Sequence, residues 1–545
     1  MAPVDRRALL LSAAVIAALF LFATRAPLRM GTDSAMQVLA VEQWARGTSP
    51  TPFHLTTADP ARADVDRHQW VVAWPPALPT LLVVSRALGW QATTSLRLLD
   101  FASLVLGALG WLLVARRCGT PPGQTLVFAT LLGLRAASAA LGAPAYSFYS
   151  MDPAAYAVVP WVLMGLERSL ASPGSTGRFL LLGLATGSVA LVKYSALFAT
   201  AGAAVAFIAI RGRGASEAKR VLSFALGVAA PMAALTVTYR LATGASPATF
   251  HAQWARNHAN ALADIVLGAA TSLGRGVFDV SFPLVHFFVI GSPAAWFTPG
   301  WGFLDRIRLY LWLGLPLTLA VVWLLVRARR SVPASWWWLI IGATATLVTA
   351  LTVMGVVNGF NYFNHEAPRY LSGVAPGLEL LILRALSTSA LWSRRSARIS
   401  LMLALFAGPA VSAAYVIREI HRSPAGRGTL FALPPEAEVS RPLLDRVSRE
   451  ARAHGSVVAL EWDAQDLPLA LSMPNRLFFP QDSVRWTFGP STDVVLIAPA
   501  THSDVPPAAA TVSFEPATRW RRDRRDTSST VGIWHAIPPK RAGVR

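Results

Sequence analysis

Four charged residues lie where long apolar runs begin or end, and their side chains could carry out chemistry. Asp33 and Asp152 offer carboxylates that could take a proton from a hydroxyl group. Lys193 and Arg369 offer cations that could stabilise a phosphate group as it gains negative charge. Charged side chains at apolar boundaries are costly unless they are paired or used. These residues are therefore the first candidates for a functional site.

The two carboxylates also have a structural explanation. Asp33 opens an amphipathic stretch, Ala35–Trp44, and an aspartate before a helix can cap its free backbone N–H groups. Asp152 is followed by Pro153, and proline is favoured at the first position of a helix. Position alone thus leaves two interpretations open, helix caps or catalytic carboxylates.

The two cations leave a similar choice. Lys193 interrupts the run Leu181–Phe198, which is otherwise free of charge, at the end of a predicted helix. A lysine there can extend to the membrane interface without any function, or it can neutralise a lipid phosphate. Arg369 poses the same choice within the segment His365–Tyr370, where Glu366 is a potential structural partner.

Aromatic residues cluster at several of the same boundaries. Such residues form the aromatic belt of many membrane proteins. They can also stack on sugars, so both interpretations stay open. The cluster consists of Tyr146, Phe148, Tyr149, Phe360, Tyr362 and Phe363.

No motif fixes a metal or cofactor site. Asp64 and Asp66 resemble the acidic pair of nucleotide-sugar enzymes, but no nucleotide-binding strand, loop and helix precede them. Asp59, Asp66 and His68 share one loop and could bind a divalent metal ion, although their spacing defines no site. Cys118 is the only cysteine, which excludes an internal disulfide. The sequence thus requires no cofactor and leaves a divalent metal ion as a candidate.

The elements that must position these residues are membrane helices. The chain is 54% hydrophobic and 14% charged, whereas soluble globular chains carry about 25% charged residues. Apolar runs of ~18 residues or more predict spanning helices, because the hydrocarbon core is about 30 Å thick. About eleven spans are predicted. They are Ala8–Thr24, Arg97–Ala115, Gln124–Gly142, Pro153–Leu170, Phe179–Val192, Ser195–Ile210, Val221–Arg240, Ile307–Val326, Trp336–Val357, Pro368–Leu386 and Arg398–Ile417.

The basic residues predict the topology. If the proline-containing stretch Val71–Trp90 does not cross, every strongly basic short loop falls on the cytoplasmic side. We therefore predict that Val71–Trp90 lies in or dips into the outer interface of the inner membrane. The N-terminus is then cytoplasmic, in a retained first helix, and the C-terminal part is periplasmic. Because the net charge of +20 sits mostly in short loops, it predicts no nucleic-acid partner.

The pattern changes in the last part of the chain, and residues 421–545 are predicted to form a small soluble α/β domain. A charged helix, Arg441–His454, precedes short strands at Val457–Glu461, Val494–Ala498 and Val531–Ile537. The basic run Arg519–Arg525 is predicted to be a solvated loop, with contact to lipid phosphates as the alternative.

The order of these features resembles the GT-C glycosyltransferases, and within them the bacterial protein O-mannosyltransferases and the lipid A aminoarabinose transferases. The resemblance covers residues 8–420. Its short motifs are Asp33, the proline-led segment Trp74–Pro79, Arg97, Asp152-Pro153, Lys193 and Pro368-Arg369-Tyr370. Two positions differ. Trp74 stands where the aminoarabinose transferases carry a lysine, and no second acid lies directly beside Asp33 as in the protein mannosyltransferases.

The resemblance implies an all-α polytopic membrane bundle of the GT-C type, followed by the small α/β domain. It implies a sugar on a polyprenyl phosphate as the donor, a glycan, lipid or protein as the acceptor, and inversion at the sugar carbon. Asp33 would be the catalytic base, with Asp152 the second candidate. The substrate contacts would be Lys193, Arg369, Tyr370, Tyr149 and His365.

Two other classes of function fit the same bundle. A transporter or lipid flippase would use it as a pathway, but transporters often show repeated halves and charges near the middle of the membrane. Here no internal repeat is visible, and the distinctive charges lie at helix ends. An inactive scaffold whose soluble tail binds partners is the third alternative.

Overall fold

The computed structural model describes most of the helical part of the chain and several strands near its end. The described stretches are residues 32–59, 62–71, 75–90, 92–140, 152–170, 174–211, 215–244, 260–278, 309–363, 367–388, 402–410, 446–460 with gaps, 477–478, 493–499, 505–506, 519–523 and 531–537, with isolated positions elsewhere. The contacts divide the chain into two units. The first comprises Met1–Ala23, Val72–Ala77 and Arg97–Arg422, and the second comprises Thr24–Val71, Leu78–Leu96 and Ser423–Arg545.

The elements follow one another as helices, with strands near the beginning and the end. The first are α1 (Thr32–Ala45), β1 (His54–Asp59), β2 (Arg62–Trp70), α2 (Ala77–Ala87), α3 (Ala92–Arg117), α4 (Pro122–Ala140), α5 (Asp152–Leu170), α6 (Thr176–Gly187), a 3-10 turn (Ser188–Leu191), α7 (Tyr194–Arg211) and α8 (Ala215–Thr243). Next come α9 (Leu262–Ala270), α10 (Ser272–Val277), a π-helical turn (Leu309–Gly314), α11 (Leu315–Ala328), α12 (Ala334–Asn358), α13 (Ala367–Leu371) and α14 (Ala375–Ser387). The last are β3 (Val457–Leu460), β4 (Leu477–Phe478), β5 (Val494–Pro499), β6 (Arg519–Arg522) and β7 (Val531–Ile537).

Five helical segments in the described part of the chain are long and apolar enough to cross a membrane. They are Thr94–Arg117, Tyr194–Arg211, Glu217–Thr243, Tyr310–Ala328 and Ala334–Asn358. Each coincides with a predicted span. Their outer surfaces carry exposed apolar side chains, such as Leu241 and Val357. A helix can cross lipid because it satisfies its own backbone hydrogen bonds. With several such apolar helices, the chain is a multi-pass membrane protein. The total of about eleven spans stays a prediction, and Ala8–Thr24 lies almost wholly outside the described residues.

Glycines set the closest contacts between helices of the first unit. A Cβ atom on Gly183 of α6 would overlap the carbonyl oxygen of Phe224 in α8, close to Gly227. A Cβ atom on Gly202 of α7 would likewise overlap the carbonyl oxygen of Gly342 in α12. Helices in lipid associate through such small residues, because the backbones can then approach closely.

The predicted span Pro368–Leu386 is interrupted, so the prediction of a continuous helix over it was wrong. It is divided between α13 and α14, with a turn at residues 372–374. The predicted span Phe179–Val192 is helical without a break up to Leu191, as α6 followed by the 3-10 turn. Pro376 lies in the first turn of α14, where the missing N–H of proline costs no helical hydrogen bond. Proline therefore favours a new helix start at this point.

The proline-containing stretch Val71–Trp90 forms a short helix. Helix α2 has 11 residues, which gives a length of about 16 Å, whereas the hydrocarbon core measures about 30 Å. Leu82 and Ser85 are buried, whereas Leu81 and Val84 are exposed. Helix α2 alone is therefore too short to span a bilayer. Its placement at the interface stays a prediction.

In the second unit, α1 is fixed to the hairpin formed by β1 and β2. The side chain of Gln43 donates to the carbonyl oxygen of Thr56 and accepts from its N–H, both at 2.8 Å. Residues 37–43 of α1 are all buried. An amphipathic helix would expose its polar side chains, and this prediction was wrong for α1. Polar residues such as Gln43 are buried and form hydrogen bonds within the unit.

The C-terminal strands form one mixed sheet in the order β4-β3-β5-β7-β6. Strand β3 is parallel to β4 and β5, and β7 is antiparallel to β5 and β6. The three predicted strands are present. The prediction of a loop at Arg519–Arg525 was wrong for Arg519–Arg522, which pairs with β7 as an edge strand. The guanidinium of Arg522 lies 5.7 Å from the ring centre of Trp534, which explains how a basic segment packs here. The domain boundary at residue 421 stays a prediction.

Candidate functional site

The start of α5 lies beside the corner between α13 and α14. Asp152 is the first residue of α5 and Pro153 is buried directly after it. One turn further, Ala155 packs against Gly373 in the corner, where a Cβ atom on the glycine would lie 3.7 Å from the Cβ atom of Ala155. The first two turns of α5, which Asp152 opens, therefore pack against the turn that follows α13.

Arg369 and Tyr370 occupy α13 on one side of that corner. Arg369 is a buried cation, and its guanidinium carbon lies 5.6 Å from the ring centre of Tyr370. Tyr370 in turn meets the ring of Tyr362 edge-on, at 5.6 Å between ring centres. A buried guanidinium held beside aromatic rings is partly desolvated, and its attraction for a phosphate is stronger there than in water.

The aromatic residues around residue 360 are core residues. Phe360, Tyr362 and Phe363 are all buried, and Phe360 packs edge-on against Tyr362 at 4.9 Å. The prediction of an aromatic belt was therefore wrong for these three residues, and sugar stacking stays a prediction. Among them, Tyr362 contacts the ring of Tyr370 and helps to hold it in place.

A buried polar network joins this aromatic cluster to three helical segments. It consists of Asp264 in α9, Arg275 in α10, Tyr310 in the π-helical turn and Asn361. Asn361 Nδ2 donates to the backbone oxygen of Asp264 at 2.8 Å and to the hydroxyl of Tyr310 at 3.1 Å. Its Oδ1 accepts from the N–H of Phe363 at 2.9 Å. One side chain thus fixes the loop between α12 and α13.

Arg275 is the cation of this network. Its Nη2 donates to the carbonyl oxygens of Gly268 and Phe363, and its guanidinium lies 4.7 Å from the ring centre of Tyr310. Burial lowers the pKa of Arg275 to about 10, while Tyr310 and Asp264 oppose that change. A pKa of about 10 leaves the side chain charged at neutral pH. The charged guanidinium of Arg275 thus lies in the interior of this unit, near Asp264 and bonded to the loop that leads to Arg369.

Lys193 lies in the turn between two helices. The 3-10 turn ends at Leu191 and α7 begins at Tyr194, and the N–H of Lys193 donates to the carbonyl oxygen of Val189 at 3.0 Å. Its side chain is partly buried. The predicted position at a helix end is confirmed, and the choice between a membrane anchor and a phosphate contact stays a prediction.

Asp33 lies in the second unit, within α1. The helix begins at Thr32, so the backbone of Asp33 belongs to the first turn and does not precede the helix. A negative charge in the first turn is favourable for the helix dipole. The structure describes the backbone of Asp33 and Asp152 but not their side chains. The roles of both carboxylates stay predictions.

The hairpin of the second unit carries the residues for which a metal ion was considered. His54 faces Trp70 across the strands with ring centres 4.0 Å apart, and His68 Nδ1 lies 2.9 Å from the hydroxyl of Thr56. Partial burial, and then the nearby His68, lower the pKa of His54. Among the residues that the structure describes, no three histidine, cysteine or acidic side chains are grouped to hold a metal ion. A metal requirement stays a prediction.

Some predicted site residues lie outside the described part of the chain. They are Tyr149, His365 and Glu366. The loop residues Tyr146 and Phe148, and Trp74 of the proline-led segment, lie outside it as well.

Sequence reasoning missed four charged residues inside this unit. Asp264, Arg275 and Glu379 are buried, and Arg135, which pairs with Glu379, is partly buried. Two of them carried a signal, because Arg135 and Glu379 interrupt predicted apolar spans, where an ionisable residue normally marks a function or a buried partner. The other two lie in a long loop whose fold could not be inferred from apolar periodicity.

The helical bundle shares its fold with a solved structure. The chain is similar to ArnT from Cupriavidus metallidurans in its apo crystal structure, which it matches over 97% of both chains with a TM-score of 0.50 and 15% identity. The structure of ArnT bound to undecaprenyl phosphate matches over 97% of both chains, with a TM-score of 0.49 and 14% identity. The GT-C-like fold expected from the sequence is thereby confirmed.

Two further solved structures match with lower TM-scores. The arabinofuranosyltransferase AftD from Mycobacteria is similar over 99% of this chain and 42% of its own, with a TM-score of 0.47 and 14% identity. The oligosaccharyltransferase of Archaeoglobus fulgidus is similar over 86% of this chain and 64% of its own, with a TM-score of 0.44 and 12% identity. No protein-family model matches the sequence, and no curated protein matches it significantly.

Proposed function

We propose that this chain is a membrane glycosyltransferase that moves a hexose or pentose from a polyprenyl-phosphate donor to an acceptor on the periplasmic side. The observation that carries the proposal is the buried cation Arg369, held beside Tyr370 at the corner that meets the start of α5. A leaving phosphate gains charge as the sugar departs, and a cation in a partly dry site stabilises that charge best. ArnT, with the same fold, has been crystallised with undecaprenyl phosphate bound.

The proposed reaction is a single displacement. The carboxylate of Asp33 accepts the proton of an acceptor hydroxyl while the hydroxyl oxygen forms a bond to the anomeric carbon. The bond from that carbon to the phosphate oxygen breaks, and the polyprenyl phosphate leaves as an anion. Attack from the side opposite the leaving group inverts the anomeric configuration. Asp152 is the second candidate for the base.

The remaining predicted contacts would bind the two substrates. Lys193 and Arg369 would contact the donor phosphate, and Tyr370 would contact the donor beside Arg369. Tyr149 and His365 would contact the sugar or the acceptor. The acceptor would be a glycan, a lipid or a protein that arrives from the periplasm. A divalent metal ion stays a candidate cofactor, although the described residues include no group of three side chains that could hold it.

The proposal is tested with purified protein and radiolabelled polyprenyl-phosphate sugars. Hexose and pentose donors are incubated separately with extracts of glycans, envelope lipids and envelope proteins, and label is followed from the donor lipid into each fraction. A double variant, Asp33→Asn with Asp152→Asn, is the control for contaminating transferases. Transfer by the parent and none by the control is expected. Label that stays on every donor with the parent protein would overturn the proposal.

A further inference from the structure

An ion pair is buried inside the helical bundle, away from the predicted substrate contacts. Arg135 of α4 donates from Nε to Oε1 of Glu379 in α14 at 2.6 Å, and the carboxylate side chain is fully buried. Taking both charges out of water is costly, and apolar residues of similar volume are often as stable at such a position. Stability alone is thus a weak reason for this pair, and its remaining contacts indicate another role.

Two further contacts of Arg135 lie at the end of α10. Its Nη2 donates to the carbonyl oxygens of Gly276 and Val277, at 3.0 and 2.7 Å. These are terminal carbonyls of a six-residue helix, which has too few hydrogen bonds of its own to hold its position firmly. The planar guanidinium can bond the carboxylate and the carbonyls at once. Glu379 therefore orients Arg135, and Arg135 holds the end of α10.

Helix α10 is in turn in direct contact with the helix that carries Arg369. A Cβ atom on Gly276 would lie 3.1 Å from the Cβ atom of Leu371, the last residue of α13. At this distance the two helices are in direct contact. A shift of α10 would therefore either displace α13 or break the contact between them. Arg275 on the same short helix also holds the carbonyl oxygen of Phe363, before the start of α13.

We propose that Arg135 is a positioning residue, which acts through α10 to hold Arg369 in place for the donor phosphate. The proposal rests on the proposed function for its consequence in catalysis, but its structural part stands by itself. The contacts run from Glu379 to Arg135, from there to the end of α10, and from Gly276 to Leu371 in α13. No step in the chemistry is assigned to Arg135.

The first experiment separates positioning from stability. The double variant Arg135→Met with Glu379→Leu removes both charges together, so neither is left buried alone and the thermal unfolding midpoint is expected to stay near that of the parent. The donor KM is expected to rise at least about tenfold, because small displacements of a binding group have large effects on rate and binding. The control is Arg117→Met with Glu167→Leu, which removes an ion pair with an N–O distance of 2.7 Å that lies on other helices and is more exposed.

The second experiment measures how closely α10 and α13 approach each other, and it does not depend on enzyme activity. Gly276→Cys and Leu371→Cys are combined with Cys118→Ala, so that the new pair holds the only thiols. Their Cβ atoms would lie 3.1 Å apart, so a small separation of the two helices brings them to the distance of about 3.5–4.5 Å that disulfides adopt. Removal of the Arg135–Glu379 pair is expected to slow disulfide formation several-fold, whereas removal of the Arg117–Glu167 pair is expected to leave it unchanged.

The outcomes distinguish the two proposals. Equal rates of disulfide formation with and without the Arg135–Glu379 pair would overturn the positioning role, whatever the activity. Slower disulfide formation in a parent protein that transfers no sugar would support the positioning of α13 and refute the proposed function. A double variant with parental donor KM in an active enzyme would show that the pair is only structural.

Discussion

Arg275 donates to the carbonyl oxygen of Phe363 over a distance of 2.5 Å, and so joins a short helix to a loop 88 positions later in the chain. The same guanidinium contacts the ring of Tyr310 and the carbonyl oxygen of Gly268. Three segments that are far apart in sequence therefore depend on one side chain. A cation with these contacts is expected to matter for stability before it matters for activity.

Replacement of Arg275 by methionine is expected to destabilise the first unit by about 3 kcal/mol or more, because the carboxylate of Asp264 is then left buried without its cation. The measurement is the thermal unfolding midpoint in detergent. Arg384→Met is the matched control, since Arg384 also donates to one carbonyl oxygen, that of Ser331 at 2.8 Å. Its expected cost is about 1 kcal/mol. Equal losses in the two variants would contradict a special role for Arg275.

The hairpin of the second unit is expected to weaken in acid. The folded state lowers the pKa of His54 below its ordinary value of 6.5, so protons bind the unfolded state more tightly. The contribution of His54 is complete above pH 6.5 and is lost as the pH falls below that value. Hydrogen exchange of the peptide 54–70, corrected for the intrinsic effect of pH, should show this loss. His54→Gln should show less of it, and an equal loss in that variant would refute the assignment.

The substitution Asp33→Asn tests the catalytic base. Asp33 lies in the first turn of α1, where loss of its charge costs at most about 1 kcal/mol, and asparagine is a far weaker base than aspartate. Stability should therefore persist, while transfer falls by roughly a hundredfold or more, the usual scale for loss of a general base. Initial rates of label transfer and the thermal midpoint are measured together. A stable variant with near-parental turnover would remove Asp33 from the mechanism and make Asp152 the next carboxylate to test.

The substitution Lys193→Met tests a contact with the donor phosphate. A lysine in a turn between helices contributes little to folding when it merely extends toward the interface. The thermal midpoint should hardly change, and the donor KM should rise by about tenfold, since a charge-assisted hydrogen bond is worth about 1.5–3 kcal/mol. Lys193→Arg should restore part of the donor binding. If both variants use the donor like the parent, Lys193 is only an anchor.

The predicted topology is tested by a reporter at the end of the chain. An odd number of spans with a cytoplasmic N-terminus leaves the C-terminal sheet in the periplasm. An enzyme that is active only in the cytoplasm, fused after Arg545, should then be silent, and an alkaline phosphatase fused there should be active. The same two reporters fused after Arg330 should give the reverse result. Cytoplasmic activity at Arg545 would sink the predicted orientation.

Long apolar helices were predictable because length and hydropathy decide them locally. Spans such as Ser195–Ile210 and Trp336–Val357 agree with α7 and α12 to within a few residues. The breaks were harder to predict. Pro376 starts a new helix, and Gly373 packs against Ala155 more than 200 positions earlier, a contact that no local pattern reveals. Tertiary contacts therefore decided where α13 ends.

The candidate site was predictable only in part, for a related reason. Arg369 and Lys193 were found because a charge at an apolar boundary is conspicuous in sequence. Arg275 and Asp264 lie in a loop with no apolar periodicity, and their importance arises from burial that only the fold reveals. The aromatic residues near Phe363 were misassigned for the opposite reason, because a ring near a boundary suggests an interface when it is in fact core.

Amino-acid substitutions should be tolerated more readily at lipid-facing positions of this chain than at glycines between closely packed helices. Side chains that face lipid, such as Leu241 and Val357, can exchange with any apolar residue, because lipid makes no specific contacts with them. Gly183 and Gly202 admit no larger residue unless two helix backbones move apart. Many lipid-facing side chains can therefore be replaced while the glycine contacts keep the helices in their arrangement. A fold shared with ArnT at 15% identity agrees with this tolerance of the lipid-facing positions.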